Sequence, residues 1–423
     1  MGANKMFKEF DSVIQPKDII DPIEEIITNR LEQRNEKTIK FGEITTKNLH
    51  VSDYLFSTAP HIPQTLISNQ NLFEIQNLAN NFTENLTSFL IFESMLNSYD
   101  ARSDYCFAVS SKNGEREILA NLIKSGHLAD KFLKQSEWKQ LGNFARSWTD
   151  PNSILYDNVI GLWFEFDTAS TLPDAPAPSI FIQPTSHYTI TGDVSAQHTW
   201  ITKSALPLLL GRPLSNIVEE KVLECIKKLP LESSLFQIGT MLSRKDDEIR
   251  LVIKRIEADQ IIPYLTSIGW SDDENNSLLT LLEEIKNKVT RIVLHISVGE
   301  KVNPKVGIEC SFYPDKYHQE QGWAKFLDYL LEKGLCNKEK HSALLKFPGI
   351  EPQDQDEEFN PKNCTPSVMI PEENYSSALI RYVSHIKLVY QPNKTVEAKA
   401  YPAVRLFGHP YNATSQTTKL IKK

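Results

Sequence analysis

Trp163, Glu165 and Asp167 stand two apart in GLWFEFD, and Lys399 and Tyr401 stand two apart in EAKAY. Side chains two apart in an extended strand share a face. The same phase collects Arg250 with Lys254, Arg291 with His295, Lys305 with Glu309, His385 with Lys387, and Glu397 with Arg405. On a semi-enclosed surface such groups are costly unless they pair or meet a charged ligand. Seven Lys and Arg, joined by a histidine when protonated, stand against four carboxylates in this set, in a chain of net charge −8. An acidic protein with a basic inner face is arranged for an anionic ligand.

The elements that must position these residues repeat. Four hairpins are expected: Gly161–Asp167 with Ser179–Gln183, Leu235–Ser243 with Glu248–Ile256, Arg291–Val298 with Lys305–Phe312, and Tyr382–Tyr390 with Val396–Leu406. Helical sequence separates them at Lys203–Leu229, Ile261–Ile268, Asn275–Val289, Gly322–Lys333 and Lys338–Lys346. The other phase of the strands is almost wholly apolar (Leu162, Phe164, Phe166; Ile249, Leu251, Ile253; Ile292, Leu294, Ile296; Ile386, Leu388) and packs on those helices. An open sheet with one solvated face gives the same alternation. Closure into a barrel removes the edges that an open sheet of this length must protect.

Before residue 150 the pattern is less regular. Pro22–Gln33 reads as a helix with Pro in its first turn, Asn71–Asn97 shows helical spacing (Leu72, Ile75, Leu78, then Leu86, Phe89, Leu90), and Tyr105–Ser110 reads as a short strand. Glu351–Glu373 is an acidic, Pro-rich loop.

With four helix-then-hairpin units in place, the element order resembles that of the ABBA prenyltransferases, the soluble aromatic prenyltransferases with a barrel of repeated α-α-β-β units. GLWFEFD early and SHIKLVYQPNKTVEAKAYPAV late carry the resemblance best. It implies an α+β fold: an antiparallel β-barrel over residues 151–423 with helices outside, and a mostly helical region, 1–150, packed on it. It also implies transfer of an isoprenoid from an allylic diphosphate to an aromatic or peptide acceptor in natural-product biosynthesis. Glu165 matches the carboxylate near the acceptor and would be catalytic. Lys399-Ala400-Tyr401 matches the Lys-x-Tyr pairs that hold diphosphate and shield the allylic cation. Arg250, Lys254, Lys305, Lys399 and Arg405 would stabilise the departing diphosphate, and Trp163 and Tyr401 would flank the cation. His295, Glu309, His385 and Lys387 line the same chamber. No cofactor is required on this reading, and Mg2+ is optional. The second and third hairpins lack a Lys-x-Tyr pair, which keeps open a second reading: a non-catalytic accessory barrel holding an anionic small molecule or a peptide segment.

Several classes are set aside. A net charge of −8 argues against a nucleic-acid-binding body. No apolar run approaches the roughly 20 residues of a membrane span, and MGANKMFKEF lacks a signal-peptide core. Five cysteines with no C-x-x-C pair fit a reducing, cytoplasmic setting, and Asn- and Lys-rich usage points to an AT-rich bacterial genome. Asp272-Asp273-Glu274 opens a helix and is read as cap and first-turn acids rather than a metal site, and Asp354–Glu358 as a solvated charge run.

Overall fold

Alternation builds the sheet. In Arg291–Val298 the side chains of Ile292, Leu294, Ile296 and Val298 are at most 8% exposed and join the core beneath the helices. A computed structural model describes residues 51–82, 86–112, 114–125, 128–168, 172–185, 198–244, 248–271, 276–312, 319–352 and 378–407. The expected helix at Pro22–Gln33, the acids Asp272–Glu274 and the run Asp354–Glu358 lie outside the described residues.

Ten strands close a barrel: β1 (Phe89–Met95), β2 (Ser103–Ser110), β3 (Val159–Phe166), β4 (Ser179–Pro184), β5 (Ser234–Thr240), β6 (Ile249–Lys254), β7 (Arg291–Val298), β8 (Val302–Ser311), β10 (Ala378–Tyr390) and β11 (Glu397–Phe407). Each is antiparallel to the next, and β11 pairs with β1 to complete the ring, with Phe89 opposite Arg405 and Met95 opposite Lys399. The short β9 (Gly349–Pro352) lies beside Ala378–Arg381 of β10, where part of an acidic loop was expected. Because strands alternate in direction, the five hairpin turns gather at one end of the barrel and the helical connections at the other. Outside lie helices Asn216–Lys227, Ala258–Ser267, Ser277–Ile285, Gln319–Glu332 and Lys338–Lys346. One continuous apolar core fills the space between barrel and helices.

Two expectations are corrected. The segment 71–97 is helical only to its first third. Ser68 caps helix Asn69–Ala79, its hydroxyl accepting from the Asn71 amide, and the chain then turns into β1. Phe89–Phe92 misled because both its faces are buried: Leu90 and Phe92 meet the helical core, Phe89 and Ile91 an apolar patch inside the barrel. A strand buried on both faces shows a continuous apolar run, with no alternation to reveal it. Region 1–150 thus contributes the hairpin β1–β2, which closes the barrel, besides its helices. The second correction is a break in Lys203–Leu229, where Gly211 takes φ +68° between helices Leu206–Leu210 and Asn216–Lys227.

Candidate active site

The strand phase that turns away from the helices faces the lumen, and its residues sort by height. At the hairpin end stand Glu93, Asp104, Glu165, Asp167, Arg250, Lys305, Lys387, Glu397 and Lys399, with Arg244 reaching in from the β5–β6 turn. In the middle is an aromatic and aliphatic belt: Phe89, Ile91, Cys106, Tyr401 and Ala403 with Ala108, Trp163 and Tyr382, continued by Phe181, Val252 and Val293 with Phe236. Trp163 belongs to both patches and donates its indole N–H to Gln183 Oε1 at 3.3 Å. Its ring meets Phe89 edge-on at 5.2 Å, and Phe89 stacks on Tyr382 at 6.4 Å.

Lys254 and Arg405, expected with Arg250, Lys305 and Lys399 at the diphosphate, sit at the far end, and Arg291 lies there too. Six residues of β11 separate Arg405 from Lys399, about 20 Å at about 3.3 Å per residue, and four of β6 separate Lys254 from Arg250, about 13 Å. There Lys254 Nζ lies 5.5 Å from the Phe236 ring centre and the Arg405 guanidinium 4.9 Å from that of Phe89. Arg291 donates to Ser311 Oγ at 2.9 Å. One diphosphate cannot bridge both ends. The structure gathers Arg250, Lys305, Lys387 and Lys399 and leaves the other three apart.

The hairpin-end charges converge on Glu93, which the sequence reading placed in a helix. Its side chain is 4% exposed. Lys387 Nζ lies 3.3 Å from Oε2, Lys399 Nζ bonds Oε1, and the Tyr401 hydroxyl donates to Oε2. Lys387 also stands 4.7 Å from the Tyr401 ring centre. Burial alone would raise the Glu93 pKa, but the Lys387 and Lys399 charges and the bonds from Lys399 and Tyr401 hold it well below the usual carboxylate range. Glu165, opposite Cys106 on the next strand, goes the other way. Burial and the Glu93 charge raise its pKa, and Lys387, Arg250 and Arg244 offset this only in part. The two carboxylates thus sit in opposed environments: Glu93 is held as an anion by its lysines, and Glu165 is the more basic of the pair.

Arg244 donates from Nη2 to Asp167 Oδ1 at 2.6 Å and lies 3.6 Å from Glu165, while Ser243 donates to Asp167 Oδ2 at 2.8 Å. Lys305 lies on the exposed part of β8 within electrostatic reach of Glu397, Lys399, Arg250 and Arg244. Arg250 makes no ion pair among the described residues, and its charge is felt at Glu165 and His295.

A second cluster spans β7, β8 and β10. Both His295 Nε2 and His385 Nε2 face Glu309 Oε1, at 2.5 and 3.3 Å. Gly307, opposite His295, makes room: a Cβ there would lie 3.1 Å from His295 Cβ and 3.4 Å from Lys387 Cδ. His385 stacks on Tyr401 at 4.0 Å. Among the described residues no group of three or more His, Cys, Asp or Glu could hold a metal ion. The 2.5 Å contact here is a hydrogen bond, shorter than the separation of about 3.3 Å expected between two ligands of one tetrahedral zinc. Burial pulls His385 down to about 4. Glu309 opposes this, while Lys387, His295 and Arg291 add to it. The unfolded chain therefore binds more protons between about pH 6.5 and about pH 4. Stability should fall as pH drops through that window, by at most about 1.4 kcal/mol per pH unit from this group. Urea midpoints at about pH 7 and about pH 5 should show it, and His385→Gln should flatten the slope. Equal slopes would contradict the assignment.

No protein-family model matches the chain, and no curated protein does. Solved structures do. The 5-dimethylallyltryptophan synthase of Streptomyces coelicolor aligns over 86% of this chain and 99% of its own, with a TM-score of 0.51 at 10% identity. AnaPT of Neosartorya fischeri aligns over 83% and 91%, with a TM-score of 0.43 at 11% identity. The chain has the closed antiparallel barrel, ringed by helices, of the ABBA-type aromatic prenyltransferases. At such identities the likeness is one of fold, and the chemistry has to be argued from the lumen.

Proposed function

We propose that this barrel transfers an isoprenoid from an allylic diphosphate to an aromatic or peptide acceptor, as part of natural-product biosynthesis. The observation that carries the reading is the layering of one lumen: a charged zone at the hairpin end, where Arg250, Lys305, Lys387 and Lys399 stand among carboxylates, runs directly into an aromatic belt. Arg250, Lys305, Lys387 and Lys399 would take the diphosphate. Fixed cations aimed at the departing oxygens stabilise charge that develops only as the C–O bond breaks, where one contact is worth about 3 kcal/mol. Trp163 and Tyr401 would face the allylic cation, each cation–π contact worth up to about 2 kcal/mol when desolvated. The acceptor attacks the cation, and Glu165 takes the proton that the substituted ring or heteroatom loses, its raised pKa suiting it to that step. The neighbour from Streptomyces coelicolor is, by its name, an enzyme of this class.

One observation favours a non-catalytic reading. Glu93 already engages Lys387, Lys399 and Tyr401, the Lys-x-Tyr pair included. In an accessory barrel that arrangement is permanent. In a transferase the lysines are shared with the incoming diphosphate.

Mass spectrometry decides between them. The protein, with dimethylallyl or geranyl diphosphate and a panel of indoles, tyrosine derivatives and short peptides, should yield an acceptor heavier by one isoprenoid, with Mg2+ or with chelator. Diphosphate binding without product across the panel would support the accessory reading instead.

A further inference from the structure

The His295–Glu309–His385 cluster has no part in the transfer steps above, yet it sits in the wall that the donor would touch. His295 Nε2 stands 2.5 Å from a carboxylate oxygen, so it carries the hydrogen and donates. Nδ1 of the same ring is buried and without a hydrogen-bond partner among the described residues, and in the neutral ring that burial favours it is a bare lone pair. His385 Nδ1 is engaged by Ser384 Oγ at 3.1 Å, and its Nε2, 3.3 Å from the same Glu309 oxygen, lacks a well-aligned hydrogen bond. Two neutral imidazoles thus share one anion and retain proton-accepting capacity. An orphaned buried nitrogen of this kind calls for an explanation.

The surroundings say what would fill that capacity. Arg250 on β6, Arg291 on β7 and Lys387 on β10 act on the rings with positive charge, and Glu309 on β8 with negative. Tyr401 on β11 stacks on His385, and beyond its hydroxyl lie Glu93 and Lys399. The cations and the burial keep the rings neutral in the empty barrel. A multivalent anion at Arg250 and Lys387 would cancel those cations and reverse the balance.

We propose that the His295–Glu309–His385 cluster takes up a proton when a diphosphate enters the hairpin end of the lumen, so that His295 becomes an imidazolium and adds to the cations opposing the ligand's charge. The ligand class rests on the prenyl-transfer reading. The proton comes from solvent and goes to His295 Nδ1, while Nε2 keeps its hydrogen toward Glu309. No other bond forms or breaks. Binding and protonation are then linked, and the same proton stabilises the free diphosphate after the C–O bond has broken.

Calorimetric titration with inorganic pyrophosphate, in two buffers of different ionisation enthalpy near pH 6.5, counts the protons exchanged. Wild type should take up ~0.5–1 proton more per pyrophosphate than His295→Gln, the ligand's own protonation cancelling between the two. In wild type alone, the ring carbon-bound proton resonances of one histidine should move toward imidazolium positions on addition of pyrophosphate, which keeps the test valid if the variant fails to fold. Binding with equal proton counts, or with no imidazole shift, overturns the inference and leaves the transferase reading intact. No pyrophosphate binding by wild type also overturns it, and prenyl transfer is then judged separately by its product assay.

Discussion

Glu93→Gln should destabilise the barrel by about 3–5 kcal/mol, the cost of removing one partner from a buried ion pair. The amide keeps the shape but leaves the Lys387 and Lys399 side chains, 11% and 21% exposed, without their counter-charge. From the lysine spacing alone one would expect the opposite experiment to be harmless: inward cations repel, so Lys399→Ala should cost little. Glu93 overturns that, because Lys399 is bound to it rather than repelled by Lys387. The two substitutions should therefore be non-additive, with Glu93→Gln in a Lys399→Met background costing less than alone. The Glu93 carboxylate is held below its usual range, so its contribution is present above about pH 4.3 and lost as the pH falls through its folded value. Urea denaturation at neutral pH with an unchanged slope reads the effect. A Glu93→Gln midpoint equal to wild type would mean that the ion pair does not form.

The second large effect is on turnover. Glu165→Gln should lower kcat by about 10²–10⁴, the range for loss of a positioned general base. Donor affinity should not suffer, because removing a negative charge beside Arg250 and Lys387 can only favour an anion. Product formation under donor saturation, with KM for the allylic diphosphate measured alongside, separates the two. A parallel loss of donor affinity and turnover would make Glu165 a positioning group for the cations instead.

Much of this was legible in the chain, for reasons that can be named. β7 could be read because Ile292, Leu294, Ile296 and Val298 alternate with polar partners, and the same alternation put Glu165, Glu309, His385 and Lys399 on the inner face. β1 could not, because Phe89–Phe92 is apolar on both faces. A signal lay there all the same: Glu93 is a lone carboxylate inside FLIFESM, and an unpaired charge in an apolar strand calls for a buried partner. Phase gives the face but not the height. Lys254 and Lys399 share the inner face, yet they stand at opposite ends of the barrel, which only strand register reveals. Convergence of His295 and His385 on one oxygen of Glu309 depends likewise on β8 lying between β7 and β10. Arg244 was passed over because turn residues belong to neither phase.

A crystal structure with dimethylallyl thiolodiphosphate, a donor analogue whose C–S bond resists cleavage, tests the central claim most directly. The diphosphate should lie inside the barrel at the hairpin end, within hydrogen-bond distance of Arg250 and of Lys387 or Lys399, with the dimethylallyl group against Trp163 and Tyr401. An analogue bound outside the barrel, or lying with its diphosphate at the Lys254, Arg291 and Arg405 end, would contradict it.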